Sequence, residues 1–299
     1  MACVQDDHID TLDFSRYAQG TPDEKAAFSA ELVASLRVTG FTRCFFRLSD
    51  VQKLSAPHPQ APYPHRGYSY VGQESISGIS GFEKGVYRMP AVKDVKETYD
   101  MGSTEDHEFP NIWPCPQYLP GFRPMMERAF ARHHACLKIV LECVAMGLGV
   151  PNDLFVKKHH GQEHEFRLLH YPEHSDFGTL TFLLQDDVGG LYVEDQREER
   201  VFHPVVSKPH EVILNVGDCL QHWTGGLLKS ANHKVTAPTH SNIGGPPDAV
   251  PERFSIAFFG KPDRKEPVCV LPEFETKNSL QYDDVTAGEY NMQKLVRTY

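Results

Sequence analysis

The chain has 299 residues, 40% hydrophobic and 23% charged, an ordinary globular composition that excludes a disordered protein. Its formal charge of -10, from 30 Lys and Arg against 40 Asp and Glu, makes nucleic acid and anionic membranes poor partners, since both demand a basic patch. No apolar run of 18 residues and no basic-then-apolar leader occurs, so neither a span nor a signal peptide is expected.

Seven cysteines, at 3, 44, 115, 136, 143, 219 and 269, show no CxxC spacing. They read as free thiols in a reducing compartment, which predicts a cytoplasmic protein. The sequence leaves the oligomeric state, monomer or homodimer, open.

In chain order, Leu12-Asp13-Phe14 reads as a strand. Thr21, Pro22 and Glu24 form a helix-start signal, and Phe28, Leu32 and Leu36 follow on one face until Gly40 stops the element. Residues 56–72 are rich in Pro, His, Tyr and Gly and predict a structured loop. A long helix is expected over about 124–146, stopped by Gly147 and Gly149, with His133 and His134 packed or partly exposed. After Gly161 come short β-type runs at 166–171, 179–184, 191–193, 212–216, 233–235 and 254–259. Strands behind a helix-rich start argue for a barrel or sandwich buttressed by helices. The expected organisation is one unit, 1–299: a helix-rich part over 1–150, a β core over 161–262, and an extension over 263–299 with a helix at 287–297.

His174-Ser175-Asp176 sets two ligand types two residues apart. On an extended stretch both leave the same face, because strand side chains alternate with period two. His233 is the candidate third donor, in a strand-like stretch after a turn. Two imidazoles and one carboxylate with open positions are the usual environment of non-haem iron(II). An HxD pattern alone is a weak signal. Arg253 and Ser255 share one face of an apolar strand, and a buried guanidinium needs an anion. A protein carboxylate is the simplest partner for Arg253 taken alone; beside a metal triad, a bound dicarboxylate becomes the better one. His65, Arg66, Tyr68 and Tyr70, with Phe177 after Asp176, are candidates for contacting an organic substrate.

Three segments, HSDFGTLTFLLQDDVGGLYV, GDCLQHWTGGLLKSANHKVTAP and RFSIAFFGKP, closely resemble successive motifs of the iron(II)/2-oxoglutarate-dependent dioxygenases, in the subgroup built like isopenicillin N synthase. The likeness also reaches PHRGYSYVGQES, KETYDMG and YNMQKLVRTY, and more weakly LDFS and RVTGF. It implies a double-stranded β-helix (jelly-roll, cupin-like) core and iron(II) held by His174, Asp176 and His233. It implies 2-oxoglutarate clamped by Arg253 and Ser255, with Tyr171 reaching the same carboxylate and Arg167 lining the same strand. The implied activity is O2-dependent oxidation of a small or mid-sized organic molecule, with release of succinate and CO2. Hydroxylation is the default outcome, and desaturation or ring formation the alternatives. Rival readings are a cupin-like metal enzyme without cosubstrate, which leaves Arg253 and Ser255 without a task, and a non-enzymatic ligand-binding barrel.

Two junctions are shorter than the family's: Phe41 to Phe45, and Pro172 to His174. Either segments of the natural protein are omitted here, which is the preferred reading, or this is a reduced member with a remodelled pocket.

Overall fold

The computed structural model describes residues 21, 39–60, 65–74, 96–170, 178–195, 198, 200–205, 212–235, 252–276 and 285–298. The expected strand at 12–14, the helix over 22–38 and the segment 171–177 lie outside them. Thr39–Phe46 form a helix (α1), and Asp50–Lys53 add a single turn (α2) opened by a capping box between Ser49 and Gln52. Helix α1 runs through Gly40, where a stop was expected, and makes the short 41–45 junction one continuous helix. Glycine in a helix costs roughly 0.5–1 kcal/mol. Burying Phe45 against Tyr68, Tyr99 and Phe122 offsets more than that, since a fully buried large apolar side chain contributes about 1.5–3 kcal/mol.

Two short strands follow, β1 (Gly67–Ser69) and β2 (Glu97–Met101), and then the long helix α3 (Phe122–Leu148). Its left-handed C-cap is Gly149, one of the two glycines expected to stop it. The β core comprises β3 (Glu165–His170), β4 (Leu180–Gln185), β5 (Leu191–Glu194), β6 (Phe202–Pro204), β7 (Ile213–Val216), β8 (His233–Val235) and β9 (Phe254–Gly260). A short helix, α4 (Asp218–Trp223), interrupts it, and α5 (Ala287–Thr298) ends the chain.

These strands make two antiparallel sheets, in the orders β1-β2-β3-β9-β4-β7 and β6-β5-β8. Central strand β9 is buried on both faces. Phe254, Ile256 and Phe258 face outward, and Phe258 packs on Phe130 and His133 of α3. Ser255 and Ala257 face the space between the sheets. Phe45, Tyr99, Leu137, Phe166 and Ile256 belong to one core cluster, so the helix-rich part and the β core share a single apolar interior.

One end of the core closes by backbone contact. A Cβ on Gly178 would sit 2.3 Å from the Gly260 carbonyl oxygen, and a Cβ on Gly217 2.3 Å from that of Gly178. Around them the Thr179 N–H donates to Gly260, the Gly217 N–H to Thr179, and the Cys219 N–H to Gly178. Only glycine permits such approach.

Two sequence expectations need correction here. The loop over 56–72 contains strand β1, bridged to Pro57 and paired with β2. The free-thiol reading holds for Cys115, Cys136, Cys143, Cys219 and Cys269, but Cys44 is disulfide-bonded. No helix among the described residues is long and apolar enough to cross a membrane.

Candidate active site

The cavity between the two sheets is lined by alternate residues of six strands. Its walls are apolar: Leu169, Leu183, Leu191, Val193, Ile213, Val235 and Ala257. Its polar groups are few: His233, Arg253, Ser255, Thr181 and Asn215. This is the composition of a small-molecule site, with greasy walls and a handful of orienting groups.

His233 opens β8, opposite Val193 of β5. Its Nδ1 lies 3.0 Å from the Ala231 carbonyl oxygen. A carbonyl only accepts, so Nδ1 donates to it, and Nε2 is the ring nitrogen left to face a metal. A backbone carbonyl fixing the tautomer is the usual support of a metal-binding histidine.

Arg253 is 3% exposed. It donates to the Gly189 carbonyl at 3.0 Å, to Gln185 Oε1 at 2.7 Å and, more weakly, to Ser255 Oγ at 3.4 Å. Every one of these acceptors is neutral. Among the described residues no carboxylate bonds it; Asp186 acts only through its field and accepts from the Phe254 N–H. Burial accordingly pulls the guanidinium below its ordinary value. A cation held by neutral dipoles at the edge of an apolar cavity is poised for an anionic ligand.

Arg167 does not share this task. Its guanidinium is taken by protein carboxylates, with Asp100 at 2.6 and 3.2 Å and Glu74 at 3.3 and 3.4 Å. These contacts occupy its guanidinium, and it does not line the cavity between the sheets. Lys96 reaches Glu74 at 3.1 Å and Lys261 reaches Glu165 at 2.7 Å, completing a buried ionic network. Within it burial, aided by Glu165 and Glu74, pushes Asp100 up to about 7 against the pull of Arg167.

The candidate substrate loop is also placed elsewhere. His65 is buried with Nδ1 3.8 Å from Glu74, and burial keeps it well below its ordinary value. His65, Glu74 and Asp100 lie close enough to surround a cation, but Arg167 and Lys96 already supply the positive charge. Arg66 donates to Phe109, His65 and Asp106. Tyr68 donates to Glu97 at 2.5 Å inside the core. Tyr70 is 53% exposed. None of the four lines the cavity between the sheets, because β1 carries them to the far edge of the larger sheet.

The cavity thus brings together His233, Arg253 and Ser255; His174, Asp176, Tyr171 and Phe177 lie outside the described residues. Sequence reasoning missed Gln185, Thr181 and Asn215. Thr181, Leu183 and Gln185 alternate on β4 in the same phase that Ser255 and Ala257 follow on β9, which was a usable signal.

The family model of the 2OG-Fe(II) oxygenase superfamily matches residues 151–262. A 2-oxoglutarate-dependent dioxygenase of Aspergillus rugulosus is 41% identical, over 97% of this chain and 99% of its own length. A proline hydroxylase of Petromyces alliaceus is 36% identical, over 97% of this chain and 99% of its own. The crystal structure of a full-length Neurospora crassa protein in complex with alpha-KG and thymine superposes with a TM-score of 0.74 at 27% identity, covering 100% of both chains. Alignment with the Aspergillus protein runs over 327 positions, more than the 299 residues present here, so gaps fall within this chain.

Proposed function

Since the chain belongs to the 2OG-Fe(II) oxygenase superfamily, we propose that His174, Asp176 and His233 hold its iron while Arg253, Ser255 and Tyr171 hold its 2-oxoglutarate. The protein is an iron(II)- and 2-oxoglutarate-dependent dioxygenase with a double-stranded β-helix core, and it oxidises a small organic molecule. When bound, iron with 2-oxoglutarate and O2 supplies the oxidising power, coupling decarboxylation of the keto acid to succinate and CO2 with attack on a C–H bond.

The residues described fit that assignment. His233 would present Nε2 to the metal, because its Nδ1 is engaged by the Ala231 carbonyl. The observation that carries the cosubstrate assignment is Arg253, a buried guanidinium with no carboxylate partner among the described residues. The cavity walls are apolar, and the neutral acceptors around Arg253 hold its fork in place without neutralising it.

Hydroxylation is the proposed outcome, on a compact substrate of natural-product metabolism. The relative named a proline hydroxylase and the neighbour crystallised with thymine support small ring compounds as the first panel. The acidic surface supports a reading without nucleic-acid or membrane partners, and five free thiols support a cytoplasmic location.

An oxygen electrode tests the reading. O2 consumption requires both iron(II) and 2-oxoglutarate, succinate forms in equal amount, and Asp176→Ala or His233→Ala abolishes both. Undiminished turnover in Asp176→Ala refutes the ligand assignment. L-Proline and thymine, added separately, test the substrate class by whether succinate formation rises above the slow substrate-free rate.

A further inference from the structure

Thr181 is 2% exposed, lines the cavity between the sheets, and its Oγ1 has no hydrogen-bond partner among the described residues. An orphaned buried hydroxyl costs about 1–3 kcal/mol, so a folded protein keeps one where a ligand satisfies it. Register places this hydroxyl. On β4, Gln185 lies opposite Ser255, Leu183 opposite Ala257, and Thr181 opposite Phe259 on one side and Asn215 of β7 on the other. Gln185 holds Arg253 at one end of the cavity. Thr181 is four residues further along, roughly 13 Å of strand. The cavity is therefore bipolar, with a cationic clamp at one end, the neutral pair Thr181 and Asn215 at the other, and aliphatic side chains between.

We propose that Thr181 binds the cosubstrate, its Oγ1–H donating to the 1-carboxylate of 2-oxoglutarate. The proposal rests on Arg253 clamping the 5-carboxylate. With that end fixed, the methylenes run along Leu183 and Ala257, and the keto-acid end is turned toward Thr181. The hydroxyl supplies a donor where the charge arrives. It adds no second positive charge there, so the keto acid's electron density stays available to the metal.

The test is an anaerobic titration of the iron(II)-loaded protein, read by the charge-transfer band of the chelated keto acid. Two probes separate the ends: 2-oxoglutarate, and 2-oxobutyrate, which lacks the far carboxylate. Thr181→Val weakens both by the same factor, about tenfold to a hundredfold for the loss of one hydrogen bond to a charged group. Thr181→Ser retains the hydroxyl and binds within a small factor of wild type. Arg253→Met weakens 2-oxoglutarate alone. Without metal or keto acid, Thr181→Val melts at or above the wild-type temperature, because it removes an unsatisfied hydroxyl.

Wild-type affinity in Thr181→Val overturns the proposal. So does equal weakening in Thr181→Val and Thr181→Ser, which makes the effect one of shape. Weakening confined to 2-oxoglutarate also overturns it, by moving Thr181 to the other carboxylate. If 2-oxobutyrate does not bind wild type, the Val and Ser comparison with 2-oxoglutarate decides alone. Unaltered 2-oxoglutarate binding in Arg253→Met refutes the clamp instead, whatever Thr181→Val does.

Discussion

Replacing Arg167 with methionine removes a buried cation while filling most of its volume. Three carboxylates, Asp100, Glu74 and Glu165, lose a partner unequally, and Glu165 keeps Lys261 at 2.7 Å. Among the described residues Glu74 keeps Lys96 at 3.1 Å, whereas Asp100 keeps the Thr98 hydroxyl at 3.1 Å and no cation. Breaking a buried ion pair from one side costs about 3–5 kcal/mol. Asp100 limits the loss, because its carboxyl already stands near 7 and takes up a proton once Arg167 is gone. The lower end, about 3 kcal/mol, is expected, and at roughly 2–4 °C per kcal/mol it lowers the melting temperature by about 6–12 °C. The sign with pH follows. A carboxyl whose folded value lies above its unfolded one stabilises at low pH and loses that contribution as pH rises through the folded value. The deficit of Arg167→Met is therefore larger at pH 8 than at pH 6. Differential scanning calorimetry at both pH values measures it, and 2-oxoglutarate titration should show near-normal affinity. A variant that melts like wild type but binds 2-oxoglutarate poorly would refute the structural assignment and return Arg167 to the cosubstrate.

Arg253→Met gives the opposite pattern. Losing a charged, bidentate partner weakens 2-oxoglutarate by about 2–5 kcal/mol, while the ligand-free protein melts no lower, since no carboxylate among the described residues is orphaned. Acid should unfold the protein early. Burial holds His133 and His159 down to about 4, so as pH falls below 6.5 the unfolded chain takes up protons that the native one refuses. Each costs roughly 1.4 kcal/mol per pH unit, and His133→Leu should make stability fall less steeply with acid between pH 6.5 and 4; an unchanged slope would count against it. Gly178→Ala, whose Cβ meets backbone at 2.3 Å, should lower both melting temperature and iron affinity. Gly147→Ala, in open space on α3, should raise stability by about 0.5–1 kcal/mol in the same melting assay.

The β core was legible wherever apolar residues were dense. The runs at 166–171, 179–184 and 254–259 fall within a residue of β3, β4 and β9, because buried strands leave near-continuous hydrophobic text. Strand β2 was missed for the converse reason. Its residues, Glu97-Thr98-Tyr99-Asp100-Met101, read as polar, yet all five are buried, with Glu97 paired to Lys53 and Asp100 to Arg167. A partner that lies 67 residues away leaves no local trace. The partners of Arg66 and Tyr68 were equally invisible: aromatic and polar residues suggested a pocket rim, while in the structure Arg66 bonds Asp106 and Tyr68 bonds Glu97. Arg253 was legible because a guanidinium in apolar text demands an anion wherever it folds.

The junction of Gly178, Gly217 and Gly260 has a consequence for anyone recombining this chain with its relatives. Three segments distant in sequence meet there; at Gly178 and Gly217 a Cβ would strike a main-chain oxygen, which no compensating side-chain change can relieve, whereas at Gly260 it would strike the Leu137 side chain. Chimeras with both crossovers inside 178–260 inherit the junction from two parents and need all three glycines and their spacing to agree. A crossover upstream of Gly178 takes all three glycines from one parent, and donor diversity upstream of that seam can be exchanged as long as the residue at 137 still packs on Gly260.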